Sequence, residues 1–451
     1  MIGPAASSIP IDIRLGSGGN IMHFLRWGLI AALAIGSSND AAAQEAIVQA
    51  GRLVDVEHGI IERNREIVVS GGRIIEIRAF GGPRPKGVRV IDLRRATVMP
   101  GFIDLHSHLI GDVQSASPLA PLETTPVQDV LLGVAHARQT IEAGFTTVRD
   151  VGTYRGLLDL ALKRAIDSGL VIGPRMSIAG AYITKPGGGG EVTGLPNGQV
   201  PPAEFRVGVA STPAEVRERV HYLLSNGADF IKVIATGAVL TVGTDPGAIE
   251  VPEESIRAAV DEAATFGTYV TAHAHSAAGI KAAIRAGVRS IEHGSLIDDE
   301  GIAMLKAKGV WLVADIYNGD YIRDVGRRDH WPEETLRKND ETTEAQRDGF
   351  RKAVKAGVRL GYGTDSGVYP HGDNAKQFKY LVRYGMTPMQ AIQAATIESA
   401  RLMRWDDRIG SIAPGKFADL VAIPGDPLRD ISQLERIHFV MKGGQVVRMN
   451  P

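Results

Sequence analysis

The sequence predicts an α/β protein: a (β/α)8 TIM barrel with a small β-sandwich domain built from both chain ends. Three observations carry that expectation. From Gly101 to about Trp405, short apolar runs alternate with longer runs whose apolar residues recur at helical spacing. Several of the helix-like runs close on glycine, a common helix stop. Outside that span both flanks read as short β-rich runs split by glycine pairs, the pattern of hairpins.

In chain order, residues 1–43 stand apart. MHFLR at 22–26, WGLIAALAIG at 27–36 and DAAAQ at 40–44 form a basic start, an apolar run and a small-residue end, the pattern of a signal peptide over 22–43. The apolar run is well short of the roughly 20 residues of a permanent span, so the mature chain is expected off the membrane, periplasmic or secreted. Residues 1–21 lack that pattern, which makes Met22 the expected start. The flanks 44–98 and 413–451, with AIVQAGRLVDV, REIVVSGGRIIEIRAF, ADLVAIPGD and RIHFVMKGGQVVRM, are expected to pair into the small domain.

The barrel, 99–412, holds eight strand-like runs: GFIDLHSHL, FTTVRDVG, RMSIAGAYI, FIKVIATG, YVTAHAHS, SIEHGS, WLVADIY and LGYGTDSG. In such a barrel the reactive groups sit at the C-terminal strand ends. Two connections stand out. The Gly- and Pro-rich 185–208 is long enough for a lid or binding loop, but it lacks the spacing of a phosphate cradle. The polar stretch 318–348 is expected to extend over the mouth as a helical lid.

Composition narrows the partners. Lys and Arg total 50 against 51 for Asp and Glu, so no global field draws the chain to nucleic acid or an acidic membrane. A small substrate is the simpler partner. With no Cys, disulfides, thiolate ligands and a cysteine nucleophile are excluded, and any metal must use His and carboxylates.

His106 and His108, two apart on the first strand, share a face and can share one cation. Lys232 interrupts an apolar run where a buried ammonium is costly. Its amine can add carbon dioxide to become an anionic carbamate that bridges two cations. His273 and His275 share a face on the fifth strand, and His293 comes from the sixth. One imidazole from each strand completes a second metal position, with His273 as ligand and His275 against substrate, or the two exchanged. Asp365, ending the eighth strand, can contact a metal and a water, although such an Asp also caps helices. Arg149 and Asp150 suit either support of the site or rim packing. His136 and His221 read as solvent-facing, and His330 lies in the polar stretch.

In this order HxH, Lys, His, His and Asp resemble the amidohydrolase superfamily. IEAGFTTVRDVG, VTAHAHS, SIEHGS, GTDSGVYPHGDNAKQF, GMTPMQAIQAATIESARLM and IGSIAPGKFADLVAIPGDPL are similar, more narrowly, to its prolidase-like and ochratoxinase-like carboxypeptidase branch, over about 46–448. The resemblance implies a binuclear zinc centre: His106, His108 and Asp365 on one ion, His273 and His293 on the other, carboxylated Lys232 between them. It implies that Asp365 takes the proton of an attacking hydroxide and passes it to the departing amine. It also implies a substrate amide beside a free carboxylate, as in dipeptides, N-acyl amino acids or ochratoxin A, and a homo-oligomer. Tyr182, Lys185, His275 and His371 are candidates to hold that carboxylate. KPGGGGEV after the third strand departs from relatives that place a His there. A cyclic-amide hydrolase of the imidazolonepropionase type or a deaminase shares the ligand pattern, and a non-catalytic barrel is the remaining alternative.

Overall fold

The computed structural model describes residues 45–111, 117, 119–196 and 199–450. The expected signal peptide lies outside the described residues. The N-terminal flank supplies β1 (Ala46–Asp55), β2 (Ile60–Ser70), β3 (Arg73–Ala79) and β4 (Arg89–Pro100). The glycine pair Gly71-Gly72 turns β2 into β3 with φ of 56° and 77°, the left-handed pair that a tight hairpin needs.

The barrel follows as β5 (Phe102–Ser107), β6 (Phe145–Asp150), β7 (Arg175–Ile178), β8 (Tyr182–Ile183), β9 (Ile231–Ile234), β10 (Val270–Ser276), β11 (Ser290–Leu296), β12 (Trp311–Ala314) and β13 (Leu360–Tyr362). The expected third strand is thus split in two at Ala179–Ala181, where Gly180 turns left-handed at φ 76°. All neighbouring pairs are parallel. The ring closes between the first and last runs, where His108 N–H donates to Ser366 O at 2.8 Å and Asp365 N–H to His106 O at 2.7 Å. Barrel strands are buried along their length, as expected for a parallel sheet covered by helices. The helix Pro126–Glu142 starts on a Thr125 and Gln128 capping box, and Ala277–Ala286 and Asp299–Lys308 stop at left-handed Gly287 and Gly309.

The C-terminal flank supplies β14 (Leu420–Ile423), β15 (Phe439–Lys442) and β16 (Gln445–Met449). The two ends do build one small domain, in the form of a single seven-stranded sheet, β16-β15-β14-β4-β1-β2-β3. It is continuous rather than two bonded layers because β4 bonds β1 on one edge and β14 on the other.

The stretch 318–348 folds as helices Asn318–Arg328 and Glu333–Ala356, and both reach the barrel mouth. Among the described residues of the 185–208 connection, only Gly189 reaches the cleft there. Gly190 there serves close packing: a Cβ on it would lie 2.7 Å from Tyr182 Cβ and 2.9 Å from Ile234 Cγ1.

Candidate metal centre

At the junction of β5 and β13, His106 Nε2 lies 3.5 Å and His108 Nε2 3.2 Å from Asp365 Oδ1. These three residues offer ligand atoms all within 4.8 Å of one another. The strand ends that carry them are tied by Asp104, whose carboxylate accepts from His106 N, Thr364 N, Thr364 Oγ1 and Asn374 Nδ2.

Both imidazoles are oriented through their other nitrogen. His106 Nδ1 meets Glu292 Oε2 at 2.9 Å, and His108 Nδ1 meets Gly152 O at 3.0 Å. That leaves each Nε2 lone pair turned to Asp365, the arrangement by which carboxylates and carbonyls orient metal-binding histidines. Glu292 is in turn held by Arg149, which donates from Nη2 to Glu292 Oε1 at 2.6 Å and from Nε to Leu105 O at 2.6 Å. Arg149 is therefore a buried support of the site. Asp150 fixes the backbone after β5 by accepting from Leu109 N at 2.8 Å.

A second trio, His293, Asp315 and Asp365, shares the same carboxylate. His293 Nδ1 sits 3.0 Å from Asp315 Oδ1. Asn318 Nδ2 donates to both Asp315 Oδ2 and Asp365 Oδ2 at 3.0 Å, and Gln346 Nε2 to Asp315 Oδ1 at 2.8 Å. His293 and Asp365 have left-handed φ of 67° and 57°. For residues with a Cβ such backbone is held only where its surroundings over-determine it, as at functional sites. In an extended strand Glu292 and His293 would point to opposite faces. The left-handed residue breaks that alternation, and both serve the interior.

His273 and His275 stand beside this group. His273 Nε2 is 3.2 Å from Gly237 O, with its ring 4.6 Å from that of His293. His275 Nδ1 is 2.8 Å from Ser295 Oγ. Among the described residues neither joins a trio of ligand atoms, and Asp315 rather than His273 is grouped with His293 and Asp365. Lys232 lines the same cleft, 1% exposed, and among the described residues its ammonium makes no hydrogen bond.

Burial and the neighbouring Lys232 charge push His106 down to about 3; burial and His293 do the same to His275. Both are neutral at neutral pH, as metal ligands must be. His293 is pushed up, because Asp315 and Asp365 outweigh burial. Burial would raise Asp365, but His106 and His108 hold it well below the usual carboxylate range. Burial lowers Lys232 to about 8, against the pull of Glu292 and Asp365.

Of the expected substrate contacts, Tyr182 and His275 line the cleft, with Tyr182 Oη 3.1 Å from His108 Nδ1. Lys185 and His371 do not line it. His371 lies behind His108, its Nε2 3.0 Å from His108 O, because the chain after Asp365 folds back under β5. His136, expected to face solvent, stacks on His371 with ring centroids 4.3 Å apart and meets Leu109 O at 2.9 Å. His221 is largely exposed beside Glu262, as read from the sequence. Glu292, Asp315, Asn318 and Gln346 were not singled out from sequence. Asp315 carried the signal that marked Asp365, an acid closing an apolar run, and Glu292 adjoins His293.

A parallel barrel whose mouth gathers imidazoles and carboxylates around one shared carboxylate defines a class, the barrel hydrolases that work with divalent metal. The chain belongs to the amidohydrolase family, whose model matches residues 97–447. A solved Xaa-Pro dipeptidase with methionine bound in its active site is similar at 38% identity, with a TM-score of 0.84 over 89% of this chain and 99% of that one. A prolidase solved with N-methylphosphonate-L-proline is similar at 29% identity and TM-score 0.84, over 90% of this chain and 100% of its own. The ochratoxinase of Aspergillus niger is 29% identical over 444 residues, 92% of this chain and 89% of its own. Its crystal structure superposes with a TM-score of 0.80 over 90% of this chain and 96% of that one.

Proposed function

We propose that this enzyme is a binuclear zinc amidohydrolase that cleaves an amide beside a free carboxylate and releases a C-terminal amino acid. Dipeptides, Xaa-Pro among them, N-acyl amino acids and ochratoxin A are the substrates the reading covers. The observation that carries it is the sharing of Asp365 by two ligand trios, each with a histidine whose Nδ1 is already engaged. The likeness to a dipeptidase, a prolidase and an ochratoxinase supports the choice of bond.

His106, His108 and Asp365 would hold one ion. His293 would hold the other, with His273 or Asp315 beside it and carboxylated Lys232 between the two. Divalent ions held there would supply a water of lowered pKa and would polarise the scissile carbonyl. The Lys232 ammonium, whose pKa burial lowers, gives one proton to water; the free amine then attacks carbon dioxide, a C–N bond forming as one C=O π pair moves onto oxygen, and a second N–H proton leaves to water, so a buried cation gives way to an anion. Asp365 accepts the proton of the attacking water and returns it to the departing amine nitrogen. Asn318 keeps that carboxylate in place through Oδ2. Tyr182 and His275, both on the cleft, are assigned to the substrate carboxylate.

The test is a panel of N-acyl amino acids, dipeptides and ochratoxin A with zinc-loaded enzyme, read as liberated amino acid. Release of an amino acid is expected. Inertness on the whole panel, together with ammonia release from an aminated ring or opening of a cyclic amide, would replace this reading with the cyclic-amide hydrolase or deaminase.

A further inference from the structure

One wall of the cleft is apolar. Val239 and Leu240, in the loop after β9, pack in one cluster with Ile322 and Val368, and Trp331 belongs to the same cluster. The first four also line the cleft that holds the metal ligands. Apart from the histidines, Lys232, Asp315 and Asp365, no charged side chain among the described residues lines that cleft.

The loop that carries half of this wall is fixed from outside the site. Lys338, on the helix Glu333–Ala356 and 1% exposed, donates from Nζ to Thr241 O at 2.7 Å and to Ala238 O and Thr244 O at 3.1 Å. Glu334 Oε1 stands 3.0 Å from the same ammonium. Thr244 Oγ1 closes the loop on itself, within 3.1 Å of Ala238 O and 2.9 Å of Thr241 O. An ammonium buried this deeply is tolerated because carbonyls and a carboxylate surround it. Its position in turn sets how far Val239 and Leu240 stand from Ile322 and Val368.

We propose that Lys338 is a positioning residue for a specificity wall, and that the Val239, Leu240, Ile322 and Val368 surface selects an uncharged, apolar substrate side chain. This rests on the proposed amide hydrolysis and names its substrate class. A leucine or phenylalanine side chain loses apolar surface to water against the wall. A lysine or glutamate side chain is stripped of water there with no partner to replace it.

The experiment compares N-acetyl-leucine, N-acetyl-phenylalanine, N-acetyl-alanine, N-acetyl-lysine and N-acetyl-glutamate on the metal-loaded enzyme, its Lys338→Met and Leu240→Ala variants, and follows amide hydrogen exchange of residues 238–244. The wild type is expected to favour leucine and phenylalanine over lysine and glutamate by about 100-fold or more in kcat/KM, the scale of a well-filled apolar pocket. Leu240→Ala should erode that preference through KM, by about 10-fold. Lys338→Met should do the same and also speed exchange at 238–244, with kcat held. Equal turnover of charged and apolar substrates overturns the wall while leaving amide hydrolysis standing. Exchange at 238–244 unchanged in a folded Lys338→Met variant overturns the anchoring role by itself. Inertness of the wild type on every compound, and on the dipeptides and ochratoxin A of the panel above, overturns the reading beneath.

Discussion

Two buried charges, one in the end-built sheet and one in the barrel, meet the cost of burial in opposite ways. Glu66 of β2 is fully buried, yet Gln49, Arg78 and Arg84 donate to its two oxygens at 3.0, 3.1 and 3.1 Å. Lys232 of β9 is as deeply buried, and among the described residues no hydrogen bond reaches its ammonium. Taking a charge out of water costs several kcal/mol unless partners replace the water. Glu66 has those partners and is part of the architecture. Lys232 lies among groups arranged for chemistry, and its burial serves the site at the expense of the fold.

Substitution can break that contrast. The largest expected effect is from Lys232→Met: turnover falls to background and the second metal is lost, while the metal-free protein unfolds at the same or a higher temperature, because a buried charge has been replaced by an apolar chain. Metal analysis and thermal melts of the stripped protein check both halves. A melt that collapses would make Lys232 architectural after all.

Glu292→Gln sharpens the comparison within the mouth. It keeps shape but weakens the hold on His106 Nδ1, and metal affinity should drop by about 10 to 100-fold in a chelator competition. Unaltered affinity would reduce the Arg149, Glu292 and His106 chain to packing. The smallest functional effect is expected from Glu66→Ala, which should destabilise by about 1–3 kcal/mol in urea by leaving polar partners unmatched. Its kcat/KM per folded molecule should be that of the wild type.

Much of this contrast is legible in the sequence. Alternation at period two puts His106 and His108 on one face, and a lysine inside FIKVIATG can only be costly or chemical. The glycine pairs at 71–72 and 443–444 mark hairpins that form as read. What could not be read depends on backbone departures and long-range contact. Strand alternation separates Glu292 from His293, and only the left-handed φ at His293 reunites them. The break of the third strand at Gly180 and the fusion of both flanks into one sheet are settled by packing between distant segments. Lys338 sits in a helix crowded with charges, and nothing local distinguishes it from its exposed neighbours. Its role comes from a loop some hundred residues earlier in the chain, at Ala238–Thr244.

The most direct test of the account is anomalous X-ray scattering from zinc-soaked crystals grown with bicarbonate. The account predicts two zinc peaks at the barrel mouth, one against His106, His108 and Asp365 and one against His293, with extra density on Lys232 Nζ joining them. A free Lys232 amine turned from the histidines, with no zinc between them, would contradict it.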